Sequence, residues 1–418
     1  MKKLVGTILI LLSIFINILG QTEEIKEEAK LLFKNSDYRR AVEILKQVEA
    51  KGTDDPEVYY LLGFYSHYLA YDSRPLVGYG DKYSDNVLYY LEKAIELNPN
   101  YGNAYYFLMA EYGARALNSL KEENSEKYTS NYRLAFEKGG FPLWILEYGK
   151  NLLNTCDENG ILIVGGDATF NPIQYLQIVE NYRRDVSVIP YGFFNRPWYV
   201  KKMKTGVKDV LRKTPIGLSD EQIFDMHPYK WDTLTIKIPI SSILKTKYGL
   251  SKDEVFEWEM APNLKGERKN YLSADKAVLA SIIEANKWER PIYFSIGCHP
   301  TFTSGLTDNF QFCGLANKLL PMETEESKYS TNHEKIREIL LNKNNIQNFM
   351  DVEKHDMPRA SNVISNYYGI LYKLAIYYKE NDQLQKVSEI ADFIERNLLT
   401  NVFPHGNKCV AEIRKLTK

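Results

Sequence analysis

The sequence predicts an α plus α/β protein. Paired-helix repeats come first, then a central three-layer α/β domain with a mostly parallel sheet, then a C-terminal helical hairpin. Three observations predict it. Apolar residues recur at helical spacing from Glu23 to about Asn154. Short apolar runs alternate with amphipathic stretches through the middle of the chain, as strands do with crossover helices. Helical spacing then returns near the C-terminus, from Leu371 to Ile394.

The chain has 418 residues, enough for two or three domains. Its first twenty residues stand apart. Lys2 and Lys3 precede an uncharged run from Leu4 to Leu19, followed by Gly20 and Gln21. This is the pattern of a signal peptide over 1–20, and its retention as an uncleaved anchor is the alternative. Either way the body is expected to be exported, periplasmic or secreted, and not integral to the membrane unless the leader is retained. The formal charge is −1, and −3 without Lys2 and Lys3. So weak a field argues against nucleic acid as a partner.

Residues 22–155 are assigned to helical repeats. "YYLLGFYSHYLA" (Tyr59–Ala70) and "NVLYYLEKAIELNPN" (Asn86–Asn100) place Tyr59, Leu62 and Gly63 on one helix and Leu91, Ala94 and Pro99 on the next. A small Ala lets paired helices approach, and Pro ends the second because it has no N–H to continue it. Tyr105, Leu108 and Tyr112, then Tyr132 and Ala135, repeat the pattern; Ala29, Leu32, Tyr38, Ala41 and Leu45 precede it in degenerate form. The segment resembles the tetratricopeptide family. Gly63 and Val87 lie 24 positions apart, against about 12 in the motif. The excess falls in Tyr71–Asp85, and a smaller one at Lys121–Thr129. Inserts in repeat arrays commonly form loops on the binding face, so Tyr79 and Tyr83 are candidate partner contacts. A tolerated surface loop is the alternative.

Residues 156–322 are assigned to the α/β domain. Ile161–Val164 reads as a buried strand, Phe170–Tyr182 as a helix capped by Thr169 or Asn171 with Pro172 in its first turn, and Val186–Pro190 as the next strand. Asp232–Ile240 alternates like an edge strand. Asp275–Asn286 reads as a helix and Arg290–Gly297 as a further strand. In such sheets ligands sit beyond the carboxyl ends of the strands. That nominates Asp167, Thr169, Asn195, Trp198 and His299 as candidate ligand-binding residues. Residues 323–358 connect to C-terminal helices over 359–418.

The catalytic residues are unassigned. The chain has no Gly-x-Gly-x-x-Gly, no Gly-x-x-x-x-Gly-Lys-Ser/Thr, no Gly-x-Ser-x-Gly and no His-Glu-x-x-His, so no cofactor and no metal is called for. Asp167, His299 and Cys298 could in principle form an acid–base–thiolate set, but Cys298 and His299 are chain neighbours and would point apart on an extended segment. Asp167 as a helix cap or loop acceptor is the simpler reading. Of the four cysteines left in a mature chain, Cys298 and Cys313 would close the shortest loop and are the disulfide candidate; four free thiols are the alternative.

Residues Asn159–Glu323 also resemble the soluble exported part of Bacteroidetes protein O-mannosyltransferase-like membrane proteins. The resemblance is carried by Thr169, Phe170, Pro172, Tyr175, Gln177, Val179, Glu180, Asp185, Val186, Val188, Asn195, Trp198, Tyr199 and Pro291–Phe294. Ala168 stands where the family has an acid, and membrane helices to hold a lipid-linked sugar are missing from the pattern. The resemblance therefore implies a shared accessory fold. The expected role is a cell-envelope adaptor that holds a protein or glycan partner. An enzyme, or accessory subunit, acting on glycans or glycoproteins is the rival.

Overall fold

The computed structural model describes residues 20–71, 81–324 and 327–417. The signal-peptide reading and Tyr79 lie outside the described residues. Tyr83 is described only as backbone, within a helix. The chain falls into two compact units: residues up to Arg115 with Leu134–Gly140, and Ala116–Arg133 with Phe141–Lys418.

The first unit is helical. It holds α1 (20–34), α2 (Tyr38–Ala50), α3 (Pro56–Tyr71), α4 (Asp81–Leu97) and most of α5 (Gly102–Lys121). Helix α2 packs on α3, and α3 on α4. Gly63 allows the second approach, since a β-carbon there would stand 2.7 Å from Leu91 Cγ. Aromatic side chains fill the layers: Phe33 stacks on Tyr65 with ring centroids 4.3 Å apart, and Phe64 meets Phe107 at the same distance. The extra residues at Lys121–Thr129 do not form the expected loop. They extend α5 and begin α6 (Ser125–Glu137), leaving only Glu122–Asn124 as a turn.

The second unit is built on a mixed sheet. Helix α7 (Leu143–Thr155) leads into β1 (Ile161–Val164), α8 (Asp167–Ile178), β2 (Ser187–Pro190) and α9 (Pro197–Thr205). After α10 (Asp220–Phe224) come β3 (Tyr229–Lys230), β4 (Leu234–Pro239), α11 (Ser242–Tyr248), β5 (Val255–Met260) and β6 (Tyr271–Leu272). Then follow α12 (Ala274–Asn286), β7 (Ile292–Ser295), β8 (Phe310–Phe312) and β9 (Ala316–Leu319). The five-stranded sheet has the order β2-β1-β7-β9-β8. Strands β1, β2 and β7 are parallel; β9 and β8 add antiparallel. All residues of β1, β2 and β7 are buried, which is why they read as mainly apolar runs.

From β1 the chain steps outward to β2, then returns across β1 to β7. The strand order thus reverses between β1 and β7.

Two expectations need correction. Strand β4 is no edge of this sheet. It pairs only with β5, as a separate antiparallel ribbon whose alternate residues Ile236 and Ile238 are buried. Helix α8 starts at Asp167, with Gly166 at its N-cap, so neither Thr169 nor Asn171 caps it and Pro172 lies inside. Gly166 takes φ +78°, the conformation that favours glycine at such a turn.

The unit closes with α13 (His333–Leu340), α14 (Met357–Glu380), α15 (Leu384–Asn397) and α16 (Pro404–Lys415). The anticipated hairpin is α14 and α15. Helix α16 packs against both, making three.

Candidate functional site

Three parallel strands end at the same side of the sheet, and the segments that follow them converge. A β-carbon on Gly165 would stand 2.5 Å from the Gly297 carbonyl oxygen and 3.0 Å from the Tyr191 ring. The chain after β1 therefore touches the chains after β7 and β2. Nucleotide-binding sheets keep this reversal point open as a crevice. Here its neck is filled by backbone.

Above the neck the predicted residues divide into exposed and inward-facing. Gly166, Asp167, Gly192, Asn195, Gly297 and His299 are exposed. Thr169 is half-buried. Burial pushes the Tyr148 hydroxyl of α7 up to about 12. Trp198 is half-buried and packs edge-on against Tyr199, itself 1 % exposed, at 5.5 Å in the first turn of α9. The pair sits at the start of that helix and leaves part of the indole on the surface.

Cys298 and His299 diverge. The Cys298 thiol donates to the Ile163 carbonyl at 3.4 Å and lies 3.7 Å from Ser295 Oγ. His299 is exposed, and its Nδ1 accepts from the Thr301 N–H at 3.2 Å. Burial pushes the Cys298 thiol up to about 11, so at neutral pH it stays protonated and is a poor nucleophile. The proposed disulfide is corrected as well. All four cysteines are free, because Cys298 turns back toward β1 while Cys313 is buried with its thiol toward the Gln311 carbonyl.

The loop after β7 is held from below by a residue not singled out in the sequence. Lys276 of α12 is 1 % exposed, and its Nζ donates to the carbonyls of Phe302 at 2.9 Å and Ser304 at 2.7 Å. It also lies over the Trp258 ring at 5.0 Å. Desolvation lowers its pKa to about 8. Phe302 in turn stacks on Tyr191 at 4.6 Å, joining the loops after β7 and β2. The hint in the sequence is a lysine on the apolar side of a helix pattern.

Helix α8 shows a second feature hidden from the sequence. Its polar residues Asn171 and Gln174 face inward and meet tyrosines from α6. Tyr132 donates to Asn171 at 3.2 Å and Tyr128 donates to Gln174 at 2.8 Å. Buried polar groups need such partners, and this accounts for part of the chain's 31 tyrosines. In the helical unit, the acids Glu23, Asp55 and Glu57 cluster closely enough to suggest a metal site. Lys26 Nζ occupies the middle, bonded to all three. In the basic stretch Lys201–Lys204, Lys201 and Lys204 pair with Asp220 and Lys202 with Glu123.

This geometry describes a mixed α/β domain with a closed crevice and a polar, exposed crest. Its sequence links it to a glycosylation-related family. Residues 145–227 and 209–338 match the family described as TMEM260-associated domain 2. A stretch of 57 residues, 14% of this chain, is 32% identical to Protein O-mannosyl-transferase TMEM260 of Mus musculus. It spans 8% of that protein. No solved structure matches the chain. Among the described residues, no helix is long and apolar enough to cross a membrane.

Proposed function

We propose that the α/β unit is a non-catalytic accessory module of a glycosylation system, and that its crest holds a glycan or a glycosylated protein. The observation that carries this reading is the crest itself. Asn195 and His299 are exposed polar side chains on the segments that follow β2 and β7, Asp167 is exposed at the start of α8, and the Trp198 indole is partly exposed. Sugars are recognised by such polar groups next to an aromatic face. The protonated Cys298 thiol and the filled neck favour holding over turnover. The helical unit, read as tetratricopeptide-like, would supply a protein contact, and export to the cell envelope would place the protein with such partners.

The test is binding of immobilised envelope glycans by the full chain, compared with Asp167→Ala and Asn195→Ala. Weakening of roughly tenfold or more at unchanged melting temperature supports the reading. Glycan turnover by the purified protein would instead favour the enzyme, and capture of no glycan would leave the crest without the proposed role.

A further inference from the structure

Strand β2 is an edge of the five-stranded sheet. Beyond it the chain turns at Gly206, and Val207 donates back to the Leu211 carbonyl at 2.8 Å. Between this turn and β2 lies a cavity of about 410 Å³, within the range of ~300–1,000 Å³ that holds small organic ligands. Its floor includes Gln174 and Gln177 of α8, 3 % and 6 % exposed, and Ser187 of β2. Its wall carries Arg184, Lys208, Arg212 and Lys213 against one carboxylate, Asp209.

None of these four cations forms an ion pair among the described residues. Arg184 donates to the Asp209 carbonyl at 2.6 Å, and Arg212 donates to the Asp185 carbonyl. Both acceptors are backbone, so the positive charge is not cancelled. Behind the wall Arg290 donates to Ser187 Oγ at 2.7 Å and to the Lys213 carbonyl at 3.2 Å, again with no carboxylate. Burial and the nearby Arg212 push Arg290 down to about 10. A chain of net charge −1 thus gathers like charges around one cavity. Such an arrangement is unfavourable until an anion enters it.

We propose that this pocket binds a small organic phosphate, with Lys208, Arg212 and Lys213 holding the phosphate and the Gln174 amide meeting the polar body of the molecule. Gln174 Oε1 is taken by Tyr128, and Nε2 has only a 3.5 Å contact to Gln177, so a donor remains for a ligand hydroxyl. A multiply charged anion matches the excess of three positive charges in the wall better than a carboxylate does. The pocket lies along the sheet edge and shares none of the exposed crest residues, so this proposal and the glycan reading fail independently.

The test is calorimetric titration of the full chain with ribose 5-phosphate, ribose and inorganic phosphate. Co-sedimentation with phosphatidylglycerol and phosphatidylcholine vesicles runs beside it. Ribose 5-phosphate is expected to bind, ribose not, with affinity falling as salt is added. Lys208→Gln combined with Lys213→Gln removes two exposed charges, and should weaken binding about tenfold or more at unchanged melting temperature. Sedimentation with phosphatidylglycerol alone, lost in the double variant, also upholds the phosphate chemistry and assigns it to a lipid headgroup. No binding of any phosphate probe, or binding indifferent to the double variant, overturns the proposal. Inorganic phosphate binding as tightly as ribose 5-phosphate overturns the role of Gln174.

Discussion

Tyr128 donates a hydrogen bond of 2.8 Å to Gln174 Oε1, and both residues are buried. Tyr128→Phe keeps the ring and removes the donor. The buried acceptor then loses its partner, at a cost of about 1–3 kcal/mol. Denaturant unfolding of the two proteins, at equal slope, measures it. A change below about 0.5 kcal/mol would mean that water replaces the hydroxyl.

Gly165→Ala should be the most damaging small substitution at the strand ends. Its methyl would meet the Gly297 carbonyl at 2.5 Å, and backbone cannot swing aside as a side chain can. Overpacking of this kind costs about 1–3 kcal/mol. Gly166→Ala, with nothing within 4 Å but φ +78°, tests backbone strain alone, at about 1 kcal/mol. Thermal unfolding should rank Gly165→Ala below Gly166→Ala.

Free thiols give a chemical prediction. Burial raises Cys298 to about 11 and Cys313 to about 12. Both should resist iodoacetamide in the native protein at pH 8. After denaturation without reductant, mass spectrometry should find all four cysteines alkylated. A peptide pair linked through Cys298 and Cys313 would contradict the free thiols.

Lys276 makes stability depend on pH in a defined direction. Unfolded, its ammonium keeps its proton up to the ordinary value of 10.5; folded, it gives the proton up above about 8. In that window the unfolded chain binds more protons, so stability rises with pH. Lys276→Met should remove that rise. The difference between the wild-type and variant denaturation midpoints, followed from pH 7 to 10, is the measurement. A difference that stays flat would show that the ammonium is as well solvated folded as unfolded.

The parts legible in the sequence are those whose environment is set locally. Strands β1, β2 and β7 could be read because both their faces are buried, so all their residues but Ser187 and Ser295 are apolar or aromatic. The strand-end position of Asp167 followed from the same runs. Helix α8 was misplaced by three residues because Thr169 and Pro172 imitate a helix start. What decides its true start is the turn at Gly166. Its inward polar face was illegible for another reason: the Asn171 and Gln174 side-chain oxygens accept from tyrosines some forty positions earlier. The β4–β5 pairing and the cation cluster around β2 are likewise products of tertiary folding. Arg184, Lys208 and Arg290 are too far apart in the chain to read as one patch.

That cluster also bears on how the sheet ends. Ser187 donates its N–H to Gly160, on the β1 side. By the alternation of a parallel ladder, the N–H and C=O of Val188 turn away from β1, toward the cavity that the Gly206–Leu211 turn bounds. Unpaired edges invite a strand from another copy and are a common seed of aggregation. A second molecule approaching this edge would bring the same uncancelled cations, and the two would repel. Charge therefore guards a backbone that no strand covers. Filling the pocket with an anion, or neutralising its lysines, lifts the guard, so self-association should rise with occupancy and fall again as the anion is washed out.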